Sequence, residues 1–375
     1  MLRINTEKPY KIFAEVLELG ALDQFESALL QDFAVQGALM PDAHFGYSLP
    51  IGAVVATKDF VVPAWVGYDI GCGMCALPTS FDRGAVEWCA KGIFDEIYQA
   101  VPVGFSHNHA PTTWEHAGLL PWSARMEEIF SRDGLRQIGS LGGGNHFIEI
   151  GADETGKVWI IVHSGSRGIG HATASHYMRL ASGSGKAKEG HFGLHVDSDD
   201  GSDYIKDLAF CLAFALENRR QIAVRVEAVL AGFAREGGSA SGEWEILINR
   251  NHNHAELREG LWIHRKGATH AEAGMVGVIP GNMRDGSFIV RGKGNPDALW
   301  SSSHGAGRCL GRKEAQRTLT LEQFTESMVA VVAKVDKDTL DESPFAYKDI
   351  FKVMEQQKDL VEVVAHIKPI INIKG

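Results

Sequence analysis

The sequence has 375 residues, 45% hydrophobic and 22% charged, with 37 Lys and Arg against 47 Asp and Glu and a formal net charge of −10. This composition is typical of a globular protein with a large core, and it excludes collagen-like, coiled-coil and disordered chains. The acidic balance argues against a broad basic surface for nucleic acid, so phosphate binding would depend on a few placed cations. The N-terminus lacks the apolar segment of a signal peptide, and no stretch approaches the ~20 apolar residues of a membrane span. We therefore expect a cytoplasmic protein without membrane contact, whose five cysteines are reduced.

Predicted strands lie in two parts of the chain. Residues 51–60 and 61–66 are apolar runs with a Lys-Asp turn between them, and they lead to Asp69. Further along, Val158–Val162 is a short apolar run that predicts a buried strand with His163 at its end. Both regions thus place a side chain able to bind a metal where a strand gives way to a loop.

The clearest helical prediction is one long helix. It begins near Ser202 and Asp203, and apolar residues then recur at the spacing of one buried helix face: Ile205, Leu208, Ala209, Leu212, Ala213 and Leu216. A second apolar run, Ile222–Phe233, continues this helix or turns back on it. The C-terminal region predicts a helix over Lys348–Gln357 and a closing strand over Ile370–Ile373. Helices and strands alternate irregularly, which favours an α+β fold.

The only candidates for flexible segments are short, and no internal repeat or long linker is present. They are Ala181–Gly190 and Gly237–Gly242. Neither has the length of an interdomain linker, so neither needs to mark a domain boundary.

Sixteen histidines are a high number for this chain, and they are not scattered. Most lie in short Gly- or Asn-rich segments at the ends of apolar runs, where loops commonly carry function. These segments are MPDAHFGY (40–47), GYDIGCGM (67–74), GGGNHF (142–147), HSGSRGIGH (163–171), NRNHNHAE (249–256) and SSSHGAGR (301–308).

A metal site is the first prediction from these segments. Asp69 and Cys72 lie three residues apart in a loop where glycines flank Cys72. Carboxylate, thiolate and imidazole together suit zinc, manganese or iron better than calcium or magnesium. We expect His146, His163 and His252 to be further ligands, since each lies at a strand end or in a turn. Three other histidines lack such a context and are expected to be structural: His254, His264 and His270.

The cysteine at position 72 has two other interpretations. Cys72 and Cys75 form a CxxC pair, which is typical of a thioredoxin-like redox site or half of a zinc knuckle. No second CxxC exists in the sequence and the preceding loop is glycine-rich, so the metal interpretation is favoured. A buried, inert thiol is the usual fate of a free cysteine, but it explains neither the glycines nor Asp69.

The SSSHGAGR segment predicts phosphate chemistry. Small residues on both sides of His304 predict an exposed imidazole and allow backbone to approach a phosphate closely. Arg308 could neutralise that phosphate, and a helix opening here would add its dipole. A histidine so placed could be a nucleophile towards phosphorus or a general acid. An anion-binding loop without chemistry is the alternative. The GGGN segment (142–145) lacks the lysine of a P-loop, which argues against a P-loop NTPase.

Together, the segments resemble the RtcB family of RNA-splicing ligases, from Pro41 to the last residue. The matching motifs, in the family's order, are MPDAHFGYSLPIG, VGYDIGCGM, GGGNHF-I-E, HSGSRGIGH, the HN within Asn251–Asn253, HRKGAT (264–269), IPGNM (279–283), SSSHGAGR and IKPIINIKG. The resemblance implies a single α+β domain over residues 1–375, with mixed β-sheets flanked by helices around a central metal cleft.

The resemblance also implies an activity. An RNA end with a 3′-phosphate or 2′,3′-cyclic phosphate would be joined to a 5′-hydroxyl end, in RNA repair or tRNA splicing. His304 would attack GTP to form a histidine–GMP adduct, GMP would pass to the RNA 3′-phosphate as an RNA-ppG intermediate, and the 5′-hydroxyl would displace it. Two Mn²⁺ ions are implied, with Cys72 bridging them. One would be held by Cys72, His163 and His252, and the other by Asp69, Cys72 and His146.

Further roles are implied by the matching motifs. Arg167 and Arg308 would hold RNA or nucleotide phosphates, and Asp42 would act in the steps at the RNA ends. Whether an accessory activating protein is a partner stays open. The residues implied to contact the nucleotide are Asn145, Glu149, Asn282, Ser287, His304, Gly305, Gly307 and Lys374.

Two departures from the family pattern favour a short, divergent bacterial-type branch. Between HRKGAT and IPGNM the chain has only His270–Val278, where the family carries a longer proline-rich insert. GNMRDGSF also stands where GSMGTASY is usual, so that Asn282 replaces a serine.

Two rival functions are weighed against the ligase. A dinuclear metal phosphodiesterase or phosphatase acting on RNA ends would use the same ligands, but it leaves His304, Arg308 and Lys374 unexplained. A catalytically silent GTP- or RNA-binding homologue would be expected to lack a ligand or the nucleophile, and none is missing.

Overall fold

The fold is described here from a computed structural model, which defines residues 2–234 and 241–375. The predicted flexible segment Gly237–Gly242 therefore lies largely outside the described residues. The described strands are β1 (Tyr10–Ile12), β2 (Ala34–His44), β3 (Ile51–Thr57), β4 (Phe60–Val61), β5 (Gly73–Pro78), β6 (Phe147–Ala152), β7 (Val158–Ser164), β8 (Leu194–His195), β9 (Ile248–Asn251), β10 (Asn253–Arg258), β11 (Leu261–Lys266), β12 (Ala268–His270), β13 (Val276–Pro280), β14 (Ser287–Gly292), β15 (Ser301–Ser303), β16 (Val332–Ala333) and β17 (Val361–Lys374). The described α-helices are α1 (Leu19–Leu29), α2 (Pro63–Val66), α3 (Arg83–Ala100), α4 (Ala124–Gln137), α5 (Arg167–Ser182), α6 (Asp199–Phe233), α7 (Arg312–Thr318), α8 (Leu321–Ser327) and α9 (Ile350–Gln356).

Two larger sheets organise the molecule. One has five strands in the order β1-β2-β3-β11-β10, and the other has eight, in the order β13-β14-β17-β6-β7-β5-β9 with β16 beside β17. Most pairs are antiparallel, but β1 joins β2 and β16 joins β17 in parallel. The sheets are mixed and are flanked by helices, which confirms the predicted α+β class. None of the described helices is both long enough and apolar enough to cross a bilayer.

The C-terminal strand is much longer than predicted. Instead of Ile370–Ile373 alone, β17 runs from Val361 to Lys374. Its first half pairs with β14 and its second half with β6, and the register shifts between Pro369 and Ile371. Its first half also has apolar residues at alternate positions, Val361, Val363 and Ile367, which the prediction left out. This pairing fixes the chain end within the sheet.

The long helix is a single α6 of 35 residues, so the second apolar run continues the first. The helix begins at Asp199, before the predicted start at Ser202, because the Ser198 side chain caps it by accepting from the Gly201 N–H at 3.1 Å. The buried face was predicted only in part, since Leu208 is buried and Ile205 and Leu212 pack against the same core cluster. Ala209 is exposed, whereas the polar residue Asp207 is buried, because it accepts hydrogen bonds that satisfy it.

The predicted strand over residues 61–66 is wrong beyond its first residue. Val61 ends β4, and Pro63 opens the short helix α2. Proline suits the first position of a helix and has no N–H for a sheet ladder, which explains the change. The Lys-Asp turn is present, with Asp59 at a φ of 61°. At the other end of the chain, α9 spans Ile350–Gln356, slightly shorter than predicted, because Asp349 caps it.

Candidate active site

Strand register brings the predicted metal ligands to one edge of the larger sheet. In β7, Ser164 pairs with Gly73 of β5, and His163 pairs with Phe147 of β6. Gly73 also pairs with Asn251 of β9. Cys72, His146 and His252 each adjoin one of these paired residues in sequence. Four ligands from four sequence segments therefore meet at the same ends of neighbouring strands.

The five predicted metal ligands form one cluster. Cys72 Sγ lies 3.1 Å from His163 Nε2 and 3.4 Å from His146 Nε2. His163 Nε2 is also 3.2 Å from His252 Nε2, and His146 Nε2 is 3.1 Å from Asp69 Oδ2. The structure thus brings together every residue predicted to hold metal, with their ligand atoms facing one another.

The chemistry of this cluster fits divalent metal. His163 Nδ1 donates to the Asn145 carbonyl at 3.0 Å, so its Nε2 carries the lone pair that a metal would accept. Burial lowers the pKa of both His163 and His252 well below the usual range, which keeps them neutral, as ligands must be. Partial burial raises the pKa of Asp69, but His146 outweighs it and the pKa falls to about 2. The lone pair of His163 Nε2 lies 3.1 Å from Cys72 Sγ and 3.2 Å from His252 Nε2, so one cation could be bound by all three atoms.

Cys72 and Cys75 have different surroundings. Burial, followed by the Asp69 carboxylate, raises the pKa of the Cys72 thiol well above its usual value, so only a bound cation would hold it as a thiolate. Cys75 is fully buried in a hydrophobic cluster with residues of β7 and α6, and burial raises its pKa to about 12. The pair therefore lacks the shared, accessible environment of a redox CxxC.

His304 lies beside this cluster and is less exposed than predicted. Its side chain is 15% exposed, and its ring centroid lies 4.8 Å from that of His252. His304 Nδ1 donates to Asp42 Oδ2 at 2.7 Å, and the His304 backbone N–H donates to the same oxygen at 3.2 Å. Because Nδ1 carries the proton, Nε2 carries the lone pair that a nucleophile needs.

Asp42 is fully buried at the end of β2, where it holds His304. Burial raises the pKa of Asp42, but the hydrogen bond and charge of His304, with His44 and Lys348, lower it below its usual value. The chain after His304 turns tightly: Gly307 has a φ of 73°, and a Cβ there would lie 2.2 Å from the Asp42 carbonyl oxygen. The segment does not open a helix, since α7 begins only at Arg312. The predicted help from a helix dipole at His304 is therefore wrong.

A cleft of about 880 Å³ joins His304 to most of the predicted nucleotide contacts. That volume suits a nucleotide-sized ligand. Ser287 is the exception, because it is fully buried and is not among the described residues that line the cleft. The predicted contacts that do line it are Asn145, Glu149, Asn282, Gly305, Gly307 and Lys374.

Glu149 is the most unusual group in the cleft. It is 1% exposed, and its Oε1 has no hydrogen-bond partner among the described residues. Burial raises the pKa of Glu149 to about 8, although Ser287, Lys374 and Asn372 act to lower it. A buried acceptor without a donor is costly, so this oxygen is suited to a ligand that brings one.

The sequence is similar along nearly all its length to known RNA-splicing ligases. The sequence profile described as "tRNA-splicing ligase RtcB" matches residues 25–122 and 112–375. The RNA-splicing ligase RtcB of Escherichia coli K12 is 34% identical over 373 residues, covering 90% of each chain. The tRNA-splicing ligase RtcB of Aeropyrum pernix is 28% identical over 432 residues, covering 93% of this chain and 90% of that one. The chain belongs to the RtcB family.

Lys374 of this RtcB-family chain is fixed in position by an ion pair that the sequence did not predict. Its ammonium binds Glu342 Oε2 at 2.7 Å, and both side chains are buried. Glu342 Oε1 also accepts from Arg312 at 2.6 Å, and Oε2 accepts from the Tyr347 hydroxyl at 2.6 Å. Burial raises the pKa of Glu342, but Lys374 and Arg312 outweigh it and bring the pKa to about 2. Glu342 was missed in the sequence, because an acidic pair in a loop, Asp341 and Glu342, carries no distinguishing pattern.

The two arginines predicted to hold phosphates are both engaged with protein. Arg308 donates to the Leu310 and Asp341 carbonyl oxygens at 3.0 and 2.6 Å, and to Glu342 at 3.3 Å. Arg167 donates to Ser140 Oγ and to the Gly104 carbonyl oxygen, each at 2.9 Å. Their phosphate role stays a prediction, although Arg308 also lines the cleft.

Asn282, the family departure near the nucleotide, uses its side chain to shape a turn. Its Oδ1 accepts from the N–H groups of Arg284 and Asp285, and its amide donates to Asp285 Oδ2 at 2.7 Å. Asn282 lines the cleft of this RtcB-family chain, so it fixes the loop there.

Two buried residues of α6 position the metal-binding loops and were also missed. Arg219 donates to the Gly71 and Ser164 carbonyl oxygens at 2.8 Å each and to the Asn251 side chain at 2.6 Å. Asn218 accepts from the Gly139 N–H at 2.7 Å. They lie on a helix remote in sequence from the ligands, and only the fold brings them together.

A second cluster of possible ligand atoms contains a cation of its own. His254, Glu256 and His270 lie close enough to share an ion. Arg265, however, is fully buried among them and donates to His254 Nε2 at 3.1 Å and Glu256 Oε1 at 2.5 Å. The guanidinium takes the place of a metal, in keeping with the structural role expected for these histidines.

Proposed function

We propose that this RtcB-family chain is an RNA ligase that uses GTP and manganese to join an RNA 3′-phosphate or 2′,3′-cyclic phosphate end to a 5′-hydroxyl end. The observation that carries the proposal is the contact of His304 Nδ1 with buried Asp42 beside the ligand cluster. The contact directs Nδ1 to the carboxylate and leaves Nε2 as the ring nitrogen available next to the place where metal would hold a triphosphate. The names of the similar proteins support an RNA substrate.

The first step is the attack of His304 Nε2 on the α-phosphorus of GTP. A phosphorus–nitrogen bond forms, the bond to the bridging oxygen breaks, and pyrophosphate leaves with the electron pair. Positive charge develops on the imidazole, and the Asp42 carboxylate 2.7 Å from Nδ1 stabilises it. A 2′,3′-cyclic phosphate end would first be opened by water to a 3′-phosphate. The 3′-phosphate then attacks the phosphorus of the His304 adduct and the phosphorus–nitrogen bond breaks. The 5′-hydroxyl finally displaces GMP to leave a phosphodiester.

Two Mn²⁺ ions would be held by Asp69, Cys72 and His146 and by Cys72, His163 and His252, where they would neutralise charge on phosphate oxygens. Asp42 and His304 need no metal for their own contact.

Guanine would be recognised by Glu149 and Lys374. Guanine presents N1–H and a 2-amino group as donors, and the unpartnered Glu149 Oε1 is a matching acceptor. Lys374 would donate to O6, which adenine lacks. Its ion pair with Glu342 keeps the ammonium in one place, so little ordering is needed on binding.

A ligation assay with defined ends tests this function. A 3′-phosphate RNA and a 5′-hydroxyl RNA, with GTP and Mn²⁺, should give a joined product, whereas a 3′-hydroxyl RNA should not. A dinuclear phosphodiesterase or phosphatase would instead release inorganic phosphate from the 3′-phosphate end, or stop at an opened cyclic phosphate end, with no joined product and no need for GTP. That outcome would contradict the proposal. Repair or tRNA splicing as the setting, an activating partner and a cytoplasmic location stay predictions.

A further inference from the structure

Two aromatic side chains are exposed at the rim of the catalytic cleft. Phe45 is 56% exposed and Tyr47 is 75% exposed, on the loop between β2 and β3. Both line the same cleft as His304. Large exposed aromatic surfaces beside a reaction site are typical of places where something binds.

The loop that carries these rings is fixed without burying them. The Gln24 amide donates to the carbonyl oxygens of Gly46 at 2.8 Å and Tyr47 at 2.7 Å, and Gln24 Oε1 accepts from the Gly46 N–H at 3.0 Å. A Cβ at Gly46 would lie 2.3 Å from the Leu49 carbonyl oxygen, so only glycine fits this turn. The rings are thus presented by a backbone that α1 holds in place.

The Phe45 ring also packs closely against helix α1 at Gly20. A Cβ on Gly20 of α1 would lie 2.9 Å from Phe45 Cδ2, so the bare glycine backbone allows the ring to approach the helix closely. One edge of the ring is supported while much of the side chain stays open to solvent. A supported but exposed ring costs little conformational entropy when a flat ligand covers it.

Charge in the cleft favours stacking as a source of RNA affinity. Four acidic and four basic residues line it, so their formal charges cancel, and the whole chain carries −10. Broad electrostatic attraction for a polyanion is therefore weak away from the metal cluster. Single-stranded RNA ends have unstacked bases, which bind aromatic side chains regardless of sequence.

We propose that Phe45 and Tyr47 form a stacking subsite for the terminal nucleobases of the RNA strand whose end enters the cleft. The inference rests on the proposed RNA ligase function, because the occupant is its substrate. Continuity of the two rings with the His304 cleft argues for RNA rather than for a protein partner. The subsite would guide an RNA end by its bases while leaving its phosphate free to react.

The test compares intact and abasic RNA on ring-deleted variants of the full chain loaded with Mn²⁺. One probe is a short 3′-phosphate RNA and the other a short 5′-hydroxyl RNA, each with normal or abasic residues at its two terminal positions. Wild-type protein should bind the intact form of at least one probe roughly 5- to 100-fold more tightly than the abasic form. The variant Phe45→Ala/Tyr47→Ala should lose most of this preference for intact over abasic RNA, whereas Phe45→Trp/Tyr47→Phe should keep it.

The matched control is Trp88→Ala, because Trp88 is 88% exposed on α3 but is not among the described residues lining the cleft. It should leave the ratio unchanged. Equal binding of intact and abasic probes by wild-type protein, or an unchanged ratio in the double variant, would overturn the proposal. That includes the case in which the rings bind a protein instead. Attachment of GMP to His304 of the wild-type protein is measured separately, without RNA. Failure of the ligase function can then be told apart from failure of the stacking proposal.

Discussion

Asp42 Oδ2 receives two hydrogen bonds from one residue, from the ring and from the backbone of His304, at 2.7 and 3.2 Å. The double contact fixes both the position and the tautomer of the imidazole. Asp42 and His304 are 262 positions apart in sequence and meet because β2 and β15 end side by side. Sequence motifs placed Asp42 in the RNA-end steps, whereas the geometry relates it directly to His304.

Asp42→Asn should slow GMP attachment to His304 by on the order of 10²-fold or more. An asparagine amide can donate to Nδ1, which would move the imidazole proton to Nε2 and remove the nucleophilic lone pair. The initial rate of adduct formation with GTP and Mn²⁺ measures this. Asp32→Asn, at an exposed aspartate, is the control and should behave as wild type. A wild-type rate in Asp42→Asn would show that the contact is only structural.

Cys72→Ser should lose most of the bound metal, because a serine hydroxyl stays protonated near neutral pH and bridges cations poorly. Cys75→Ala should keep the wild-type metal content, since Cys75 lies in a hydrophobic cluster. Metal analysis of both purified variants after Mn²⁺ loading is the measurement. Equal losses would restore the interpretation of Cys72 and Cys75 as a functional pair.

Nucleotide binding should release a proton from Glu149. In the free protein the pKa of this carboxyl is raised to about 8 by burial, so it is protonated at pH 7. Guanine donors favour the charged form and lower the pKa in the complex. The affinity for GMP should therefore rise by up to about tenfold per pH unit from pH 6 to pH 8.

Calorimetry of GMP binding to Mn²⁺-loaded protein, in buffers of different ionisation enthalpy, counts that proton. Glu149→Gln is the matched control and should release about one proton fewer at pH 7. An identical proton count in the two proteins would mean that Glu149 keeps its protonation state on binding.

Lys374→Met should reduce the preference for GTP over ATP and also lower the melting temperature. The second effect follows because Lys374 and Glu342 are both buried, and breaking such a pair costs roughly 3–5 kcal/mol. The loss should be smaller here, since Arg312 and Tyr347 still bind Glu342. If the C-terminal residues were frayed, Lys374→Met would change neither the preference for GTP nor the melting temperature.

The double variant Lys374→Met/Glu342→Gln separates recognition from stability. Removing both charges should restore part of the melting temperature without restoring the preference for GTP. Adduct yields with GTP and ATP, beside thermal unfolding, give both readouts. Recovery of nucleotide preference in the double variant would contradict a direct role for Lys374.

RNA affinity should depend only weakly on salt. The formal charge of −10 and the balanced cleft leave about two to four phosphate contacts, which sets a shallow slope of log K against log salt. The measurement is the affinity for a 3′-phosphate RNA at salt concentrations from roughly 50 to 200 mM. A steep slope would reveal a basic surface that the structure does not suggest in its described residues.

The candidate metal ligands could be predicted from sequence because each lies at or beside a strand end that neighbouring glycines or asparagines mark. Their mutual distances could not, because they depend on the register of β5, β6, β7 and β9. Helix bounds failed where a cap lay earlier than the apolar pattern, as at Ser198. Hydrophobic periodicity also could not find the buried polar residues Asn218 and Arg219, which share the buried face of α6 with apolar side chains such as Phe214.

The partners of charged groups were the least predictable part of the site. Lys374 was expected at a fixed point, and the strand β17 does hold it there. Its ion pair with Glu342 depends on a loop between α8 and α9 that carries no pattern readable from sequence. Single long-range contacts of this kind have no local signature.

The central claim is that His304 becomes covalently linked to GMP, and intact mass after incubation with GTP and Mn²⁺ tests it most directly. Wild-type protein should gain the mass of one GMP, in an acid-labile form. His304→Ala should gain none while keeping its fold and metal content, and His116→Ala, at an exposed histidine, should match wild type. A GMP adduct that persists in His304→Ala, or no adduct on wild-type protein that carries its metal, would contradict the account.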